Sequence, residues 1–167
     1  PYRRQRQMCI RDRYYTTGRN VKTGASVVFA EISSMPGTIT RLVLPDQSVV
    51  WLNAGSRLVY PSVFDEKERK VQLFGEGYFE VEADPEHPFS VSTSEGLRVI
   101  AYGTKFNVNA YDDEPFIEAV LEKGKIDVIR NDERIRLEPN KQVVLNKESG
   151  VFRVSAVNLD EKMDWRK

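Results

Sequence analysis

Three glutamates in the middle of the chain are its best candidates for acid–base chemistry. Glu80 and Glu82 are two residues apart, so in a strand they would share one face, about 6.6 Å apart at the backbone. That separation is near the range used by the two carboxyl groups of a glycosidase, and Glu76 precedes them in the same segment. A catalytic acid, however, needs a buried carboxyl with a shifted pKa, and exposed strand faces are commonly charged. We therefore interpret these glutamates as part of a solvated face.

The chain has one histidine, His87, which could serve as a general base or a metal ligand. It lies between Glu86 and Pro88 in a proline-flanked segment, and this favours a surface loop. The single cysteine, Cys9, is far away in sequence, so the two residues cannot make a structural zinc site. The sequence therefore predicts no metal site, no internal disulfide and no cofactor.

The segment Gly75-Glu76-Gly77 has the glycine content of a phosphate-binding loop. Such a loop lies between a strand and the N-terminus of a helix, whereas another strand pattern follows this segment. Close backbone packing or a β-bulge explains the glycines better. The chain also has no GxSxG, Walker lysine or HExxH pattern, so we predict that it has no catalytic site and is not an enzyme.

Aromatic residues could line a carbohydrate-binding platform. In a small β domain, however, such side chains more often belong to the core. A non-catalytic carbohydrate-binding accessory module is therefore the alternative function that the sequence leaves open. The aromatic residues in question are Trp51, Tyr60, Tyr78, Phe79 and Tyr111.

The overall composition is that of one soluble globular domain. The 167 residues are 40% hydrophobic and 30% charged, and 25 basic residues balance 25 acidic ones. A neutral chain has no general electrostatic attraction to nucleic acid or to anionic lipid. No window approaches the roughly 18 apolar residues of a membrane-spanning helix. We therefore expect neither nucleic-acid binding nor a membrane span in these residues.

Short segments rich in β-branched and aromatic residues recur from Gly37 onward, roughly every 8–12 residues, and turn residues separate them. This spacing predicts an all-β fold of stacked short antiparallel strands, with a sandwich and a β-solenoid-like arrangement both open. A strand pair is expected around Gly75-Glu76-Gly77, from Lys70 to Phe74 and from Tyr78 to Ala83. The other expected strands are 38–44, 48–52, 57–60, 89–92, 98–102, 106–111, 116–121, 125–129, 135–137, 142–145 and 152–154.

Two of these segments alternate between apolar and other residues with a period of two. Phe79, Val81 and Ala83 would lie on one face of their strand, and Tyr78, Glu80 and Glu82 on the other, polar face. Phe106, Val108 and Ala110 repeat the apolar pattern. Burying each large apolar side chain is worth roughly 1.5–3 kcal/mol, so a dozen such positions can drive folding without a metal or a disulfide.

The end of the chain departs from the β pattern. Residues 158–167 predict a short helix that Asn158 or Asp160 could cap. Leu159, Met163 and Trp165 would then face the sheet.

The start of the chain also departs from it. The stretch Pro1–Arg13 is basic, has no periodicity and contains Cys9. We expect residues 1–20 to be a disordered or non-native tail, residues 21–157 to form the β domain, and residues 158–167 to begin a truncated further subdomain.

A series of motifs resembles the FecR-type transmembrane anti-sigma regulators, in the form common in Bacteroidetes-like genomes. Each motif is weak alone, but they occur in the family's order between about Phe29 and Trp165. They are Leu44-Pro45-Asp46-Gln47-Ser48, Val50-Trp51-Leu52-Asn53-Ala54-Gly55-Ser56, Tyr60-Pro61, Arg69-x-Val71-x-Leu73, Gly75-Glu76-Gly77-Tyr78-Phe79-Glu80-Val81, Pro88-Phe89-x-Val91, Gly103-Thr104-x-Phe106-Asn107-Val108-x-Ala110-Tyr111, Leu121-x-x-Gly124-Lys125-Ile126-x-Val128 and Leu137-x-Pro139-Asn140-x-Gln142.

The chain departs from the family pattern at two positions. Gln47 and Asn140 stand where the family prefers glycine. The turn at Gln47 must therefore tolerate a side chain, whereas asparagine adopts the left-handed backbone region readily.

The resemblance implies a role in signalling across two membranes. Such a protein resembles a relay in which a cytoplasmic segment holds an extracytoplasmic-function (ECF) sigma factor and a single span crosses the inner membrane. Its periplasmic part receives a signal from a TonB-dependent outer-membrane transducer, and so controls genes for iron or glycan uptake. This chain resembles the periplasmic β domain, with the sigma-binding segment, the span and the C-terminal signalling subdomain expected outside it.

Overall fold

The computed structural model describes residues 26–167 and confirms an all-β fold with a short C-terminal helix. The tail that we expect over residues 1–20, including Cys9, lies outside the described residues. The strands of the described part are β1 (Phe29–Ser33), β2 (Thr40–Val43), β3 (Val49–Leu52), β4 (Arg57–Pro61), β5 (Arg69–Glu80), β6 (Phe89–Ser92), β7 (Arg98–Ala101), β8 (Lys105–Ala110), β9 (Phe116–Lys123), β10 (Ile126–Arg130), β11 (Glu133–Leu137), β12 (Lys141–Asn146) and β13 (Phe152–Ala156).

One long strand, β5, joins the two halves of a curled sheet. Its first half pairs with β4 and, in parallel, with β6, whereas its second half pairs with β3 and β8. One half of the sheet is completed by β1 beside β4 and by the series β6-β7-β10-β11. The other half is completed by β2 beside β3 and by the series β8-β9-β12-β13. Both edges of β5 are therefore paired along most of its length.

The expected pair of strands around Gly75-Glu76-Gly77 is wrong, because this segment lies inside β5 and does not form a turn. Gly75 has φ +91°, and the strand bends there as its pairing changes from one half of the sheet to the other. A Cβ on Gly75 would lie 2.5 Å from Ser56 Oγ, which is far inside van der Waals contact. The glycine therefore marks a bend with close backbone packing, which was the interpretation preferred to a phosphate loop.

The main hydrophobic core lies between the two halves of the sheet. Phe79 of β5 stacks on Phe106 of β8 at 5.1 Å between ring centroids, and it also contacts Phe89 of β6 at 6.1 Å. Phe79, Val81, Phe106 and Val108 are buried, as the period-two patterns predicted, and so is Phe89. Ala83 is exposed because β5 ends at Glu80.

Most strand boundaries agree with the sequence prediction to within two residues. β1 was not predicted, because its segment FAEIS carries a weak alternation; it pairs with β4 along its full length. Tyr78 was expected on the polar face but is buried, and the C-terminal helix explains this difference.

That helix, α1, spans Leu159–Met163 and continues as a 3-10 turn over Asp164–Arg166. The Asn158 side chain accepts a hydrogen bond from the Asp160 amide at 3.1 Å, so Asn158 is the N-cap. Within residues 26–167, no helix has the length and apolar character that a membrane crossing requires.

The β2–β3 hairpin places Gln47 in the left-handed backbone region, at φ +70°. The Gln47 amide donates to the Leu44 carbonyl and the Leu44 amide donates to the Ser48 carbonyl, which is the pattern of a three-residue loop with a bulge. Glycine favours this left-handed position, so glutamine is strained here.

Replacing Gln47 with glycine should therefore stabilise the protein. We expect the free energy of unfolding to rise by about 0.5–1 kcal/mol, because relief of left-handed strain outweighs the greater entropy of glycine in the unfolded chain. Urea unfolding of both proteins measures the change. Asn140→Gly is the control at φ +63°, and it should gain less because asparagine tolerates this region. A gain at Asn140 that equals the gain at Gln47 would contradict the explanation.

Candidate interaction surface

The three candidate glutamates have separate partners and do not form a carboxylate pair. Glu80 lies 3.5 Å from Lys105 of the neighbouring strand, and Glu82 is exposed beyond the end of β5. Glu76 is half-buried at the bend of β5. This arrangement places Glu80 and Glu82 on a solvated face, as expected, but gives Glu76 a different environment.

The carboxylate of Glu76 sits between two side-chain amides. Asn53 Nδ2 donates to one oxygen at 2.9 Å and Asn107 Nδ2 donates to the other at 2.8 Å. Burial raises the pKa of Glu76 above its ordinary value, while the two amide hydrogen bonds oppose that rise. The residues come from the β3–β4 connection, β5 and β8, so this network ties that connection to two neighbouring strands at the bend.

A second set of hydrogen bonds completes the bend. Ser56 Oγ accepts from the Glu76 amide at 2.8 Å and lies 3.2 Å from the Tyr111 hydroxyl. The Tyr111 hydroxyl also donates to the Ala54 carbonyl at 2.7 Å, and burial raises its pKa. The family-like segments around Asn53, Glu76 and Tyr111 therefore meet in one structural network.

Arg69, at the start of β5, forms a buried ion pair with Asp46 that was not predicted. Its side chain is only 5% exposed, and Nη1 lies 2.7 Å from Asp46 Oδ2. Arg69 also donates to the carbonyls of His87 at 2.7 Å and Glu82 at 3.1 Å. Ser48 donates its hydroxyl to the same Asp46 oxygen at 2.7 Å. The pair thus ties the β2–β3 turn to the loop before β6.

His87 lies in this loop, as expected from its flanking proline. Its Nδ1 is 2.7 Å from Asp84 Oδ2, and both side chains are partly exposed. The hydrogen bond from His87 lowers the pKa of Asp84 below its ordinary value. In the part of the chain that is described, no three acidic or histidine side chains are close enough together to hold a metal ion.

The five candidate aromatic residues do not share one exposed platform. Phe79 is in the main core, and Tyr60 packs against that core. Tyr111 belongs to the bend, whereas Trp51 and Tyr78 lie together on the outer face of the sheet, with ring centroids 5.6 Å apart.

The C-terminal helix covers this outer face and creates a second apolar cluster. Met163 of α1 is buried against Tyr78 and Val120, and partly buried apolar side chains surround these three. The orientation predicted for the helix is confirmed. The surrounding side chains are Trp51, Val157, Leu159 and Trp165.

Charged groups fasten the end of the helix to the sheet. The Arg166 guanidinium stacks 3.5 Å from the centroid of the Tyr78 ring and lies 3.9 Å from Glu122. The Tyr78 hydroxyl donates to the Glu122 carboxylate, and burial raises the pKa of Tyr78. Lys162 lies 2.8 Å from Glu118 on the same face. An open groove of about 330 Å³ runs beside these contacts, between Trp51 and α1.

A buried aspartate lies in the other half of the sheet, on β10. Asp127 is fully buried, accepts two hydrogen bonds from Arg136 at 2.8 and 3.0 Å and accepts another from Arg134. These bonds lower the pKa of Asp127 to about 2. The two arginines are 54% and 59% exposed, so water screens part of the attraction.

This lowered pKa predicts an acid-dependent loss of stability. The ionised Asp127 stabilises the folded state above its unfolded pKa of about 4, and we expect this to be lost as the pH falls towards 2. After allowance for screening, the loss should be about 1–2 kcal/mol. Urea unfolding of the wild type and Asp127→Asn between pH 2 and 7 tests this. The difference in unfolding free energy between the two proteins should be largest above pH 5 and should narrow steadily as the pH falls to 2; a constant difference would contradict the assignment.

The sequence did contain a signal for Arg69. It is in phase with Val71 and Leu73, so the alternation of β5 places it on the buried face with them. No sequence pattern indicated the contacts of Asp127 with Arg134 and Arg136, because these residues come together only through the pairing of β10 with β11.

Comparisons with known proteins agree with this fold. The FecR protein family model matches residues 30–127, more than half of the chain. Two crystal structures of a candidate anti-sigma factor from Parabacteroides distasonis are similar, each at 33% sequence identity, with TM-scores of 0.80 and 0.79. The alignments cover 83% and 82% of this chain, which itself spans 64% of the length of each solved chain. No curated protein matches the chain.

Proposed function

Since this chain belongs to the FecR family of anti-sigma regulators, we propose that it is the periplasmic β domain of a single-pass inner-membrane anti-sigma factor. It relays a signal from a TonB-dependent outer-membrane transducer to an ECF sigma factor and so regulates uptake genes. The family match over residues 30–127 carries this proposal.

The positions of the family-like residues support a role in protein contact. Asn53, Glu76, Asn107 and Tyr111 use their side chains to hold the bend of β5, and Arg69 and Asp46 fix the neighbouring turn. These residues therefore preserve the shape of the domain. A rigid shape is what a relay domain needs, because a docking surface must be presented in a defined orientation.

The helix-covered face is the part of the domain best suited to pass on a conformational change. The helix has two turns, and only one of its side chains, Met163, is buried. Partly buried Leu159 and Trp165 and the ionic contacts of Lys162 and Arg166 complete its attachment. Such a small contact can be made or broken at modest free-energy cost, whereas the sheet beneath it is held by a complete core.

The direct test removes the domain from the full-length protein. A gene encoding the full-length protein without residues 26–167 should lose induction of sigma-dependent transcripts in response to transducer ligand. Transcript levels before and after induction measure this, with the sigma-factor gene left intact. Normal induction without the domain would refute the proposed relay.

A point substitution tests the helix contact within this relay. Met163→Asp places a charge in the second apolar cluster. It should weaken the packing of α1 on the sheet by about 2–3 kcal/mol and so detach the helix. The β core should stay folded, as circular dichroism would show, while the induction ratio in the full-length protein changes at least threefold. Asp160→Ser, on the exposed side of the same helix, is the matched control and should leave induction unchanged. An unchanged ratio with Met163→Asp would exclude the helix from the relay.

The alternative function, a carbohydrate-binding accessory module, has less support. The candidate aromatic side chains are divided between the core, the bend and the helix-covered face. A glycan-array experiment distinguishes the two functions, because saturable glycan binding that is lost in Trp51→Ala would favour the binding module.

A further inference from the structure

Strand β13 has an edge that nothing in the described part of the chain covers. It pairs with β12 on one side, and residues 26–167 provide no strand on its other side. We propose that β13 pairs in antiparallel fashion with β13 of a second copy of this chain, around a two-fold axis at Val154.

The hydrogen-bonding pattern shows which backbone groups are available. The Asn146 amide donates to the Val151 carbonyl, and the Val157 amide donates to the Asn140 carbonyl, each at 3.1 Å. In an antiparallel ladder, residues whose backbone groups bond to the neighbouring strand alternate with residues whose groups point away from it. The odd-numbered residues of β13 therefore bond to β12. The amides and carbonyls of Phe152, Val154 and Ala156 point away from β12 and form the free edge.

The side chains of β13 do not protect this edge. Natural edge strands are commonly blocked by charge, proline or a bulge. β13 has the sequence FRVSA, and none of its three residues with outward backbone groups is charged or a proline. Val154 is 52% exposed although it lies on the same face of the strand as Phe152, which packs against the main core. A second strand would cover this exposed apolar surface.

The charges favour a second copy as the partner. With Val154 opposite Val154 of the partner subunit, Arg153 lies opposite a serine and Phe152 opposite an alanine. The whole strand is then paired, and no two like charges lie opposite each other. Opposed like charges would destabilise the pairing.

The other edges do not allow this. If β11 paired along its full length with β11 of a second copy, Arg134 would lie opposite an Arg136. If β1 did the same, two copies of Glu31 would lie opposite each other. Both arrangements place like charges together, which is destabilising. In β2, the backbone groups of Arg41 and Val43 point away from β3. Full overlap of two β2 strands would place these residues opposite residues whose backbone groups already bond to β3, so the ladder of hydrogen bonds could not form.

The association state in solution tests the proposal. Pairing of two short strands buries much less than the roughly 1,600 Å² of a standard interface, so we expect a dimer that forms between about 10 µM and 1 mM. Sedimentation velocity over this range, with a reducing agent because of Cys9, should show a concentration-dependent shift from monomer to dimer. A chain that stays monomeric at 1 mM would overturn the proposal.

Two matched substitutions locate the interface. Val154→Lys should weaken dimerisation at least tenfold, because it places a charge at the two-fold axis. Val43→Lys changes the same residue type on edge strand β2, where the exposure is 49%, and should leave dimerisation unchanged. Thermal unfolding checks that both variants are folded. Loss of the dimer with Val43→Lys and not with Val154→Lys would refute the assignment to β13.

Cysteine cross-linking tests the register independently of these variants. In a Cys9→Ser background, Val154→Cys places two thiols on opposite residues with Cα atoms about 5.5 Å apart, which a disulfide can span. Ser155→Cys lies opposite Arg153 of the partner subunit, so its two thiols are too far apart. Oxidation should therefore give a covalent dimer with Val154→Cys and little with Ser155→Cys. Equal cross-linking of the two, or more at Ser155, would exclude this register.

Discussion

Replacing Gly75 with alanine is expected to lower the free energy of unfolding by about 2–5 kcal/mol. Two costs add: the left-handed backbone at φ +91° costs about 1–2 kcal/mol in any residue with a Cβ, and overpacking costs a further 1–3 kcal/mol. The new methyl group would lie 2.5 Å from Ser56 Oγ and 2.9 Å from Ser56 Cα, so backbone would have to move. For a domain of this size, the melting temperature should fall by roughly 10 °C.

A glycine elsewhere in the chain provides the control for this experiment. Gly96 has φ +74°, and a Cβ there would have no atom within 4 Å. Gly96→Ala should therefore cost only the backbone strain, about 1–2 kcal/mol. Urea unfolding of the three proteins gives both differences. If the two alanine variants are equally destabilised, the close approach to Ser56 contributes nothing and the explanation of the bend is wrong.

Replacing Asp46 with alanine should destabilise the protein by about 3–5 kcal/mol. The Arg69 guanidinium is buried, and removing its carboxylate partner leaves an uncompensated charge. The paired replacement Asp46→Ala with Arg69→Met removes that charge as well. It should recover at least 2 kcal/mol of the loss, since a buried ion pair can often be exchanged for apolar groups at small cost.

A double-mutant cycle by urea unfolding measures this coupling. The pair formed by Arg57 and Glu31, at 3.1 Å, is the comparison, because its side chains are 40% and 24% exposed. Glu31→Ala should cost less than about 1 kcal/mol. A coupling free energy between Asp46 and Arg69 that is no larger than this exposed pair's would show that burial adds nothing to their interaction.

The sequence predicted the β class, most strands and the position of the helix because these depend on local patterns. The alternation through Phe79 and Val81 marks a buried face, and Asn158 caps the helix. Gly75 misled the prediction, because a left-handed glycine is as common in a turn as at a bend and only the pairing partners distinguish them.

The contacts of the candidate surface could be predicted only in part. The phase of Arg69 with Val71 indicates burial, but its carboxylate partner is 23 residues away in the chain. Tyr78 was assigned to the polar face by its alternation with Phe79, and it is buried because α1 folds back over that face. Long-range packing of this kind leaves no periodic pattern in the sequence.

The single strand shared by both halves of the sheet has a consequence for how the domain opens. Neither half can lose its order alone, because melting either one removes pairing partners from β5. Amide protons on both sides of Gly75 should thus exchange with solvent at nearly the same rate, through global unfolding. Outside the frayed ends and surface loops, the β domain would then unfold as one cooperative unit. A mechanical force applied to either half would be transmitted through β5 to the other half.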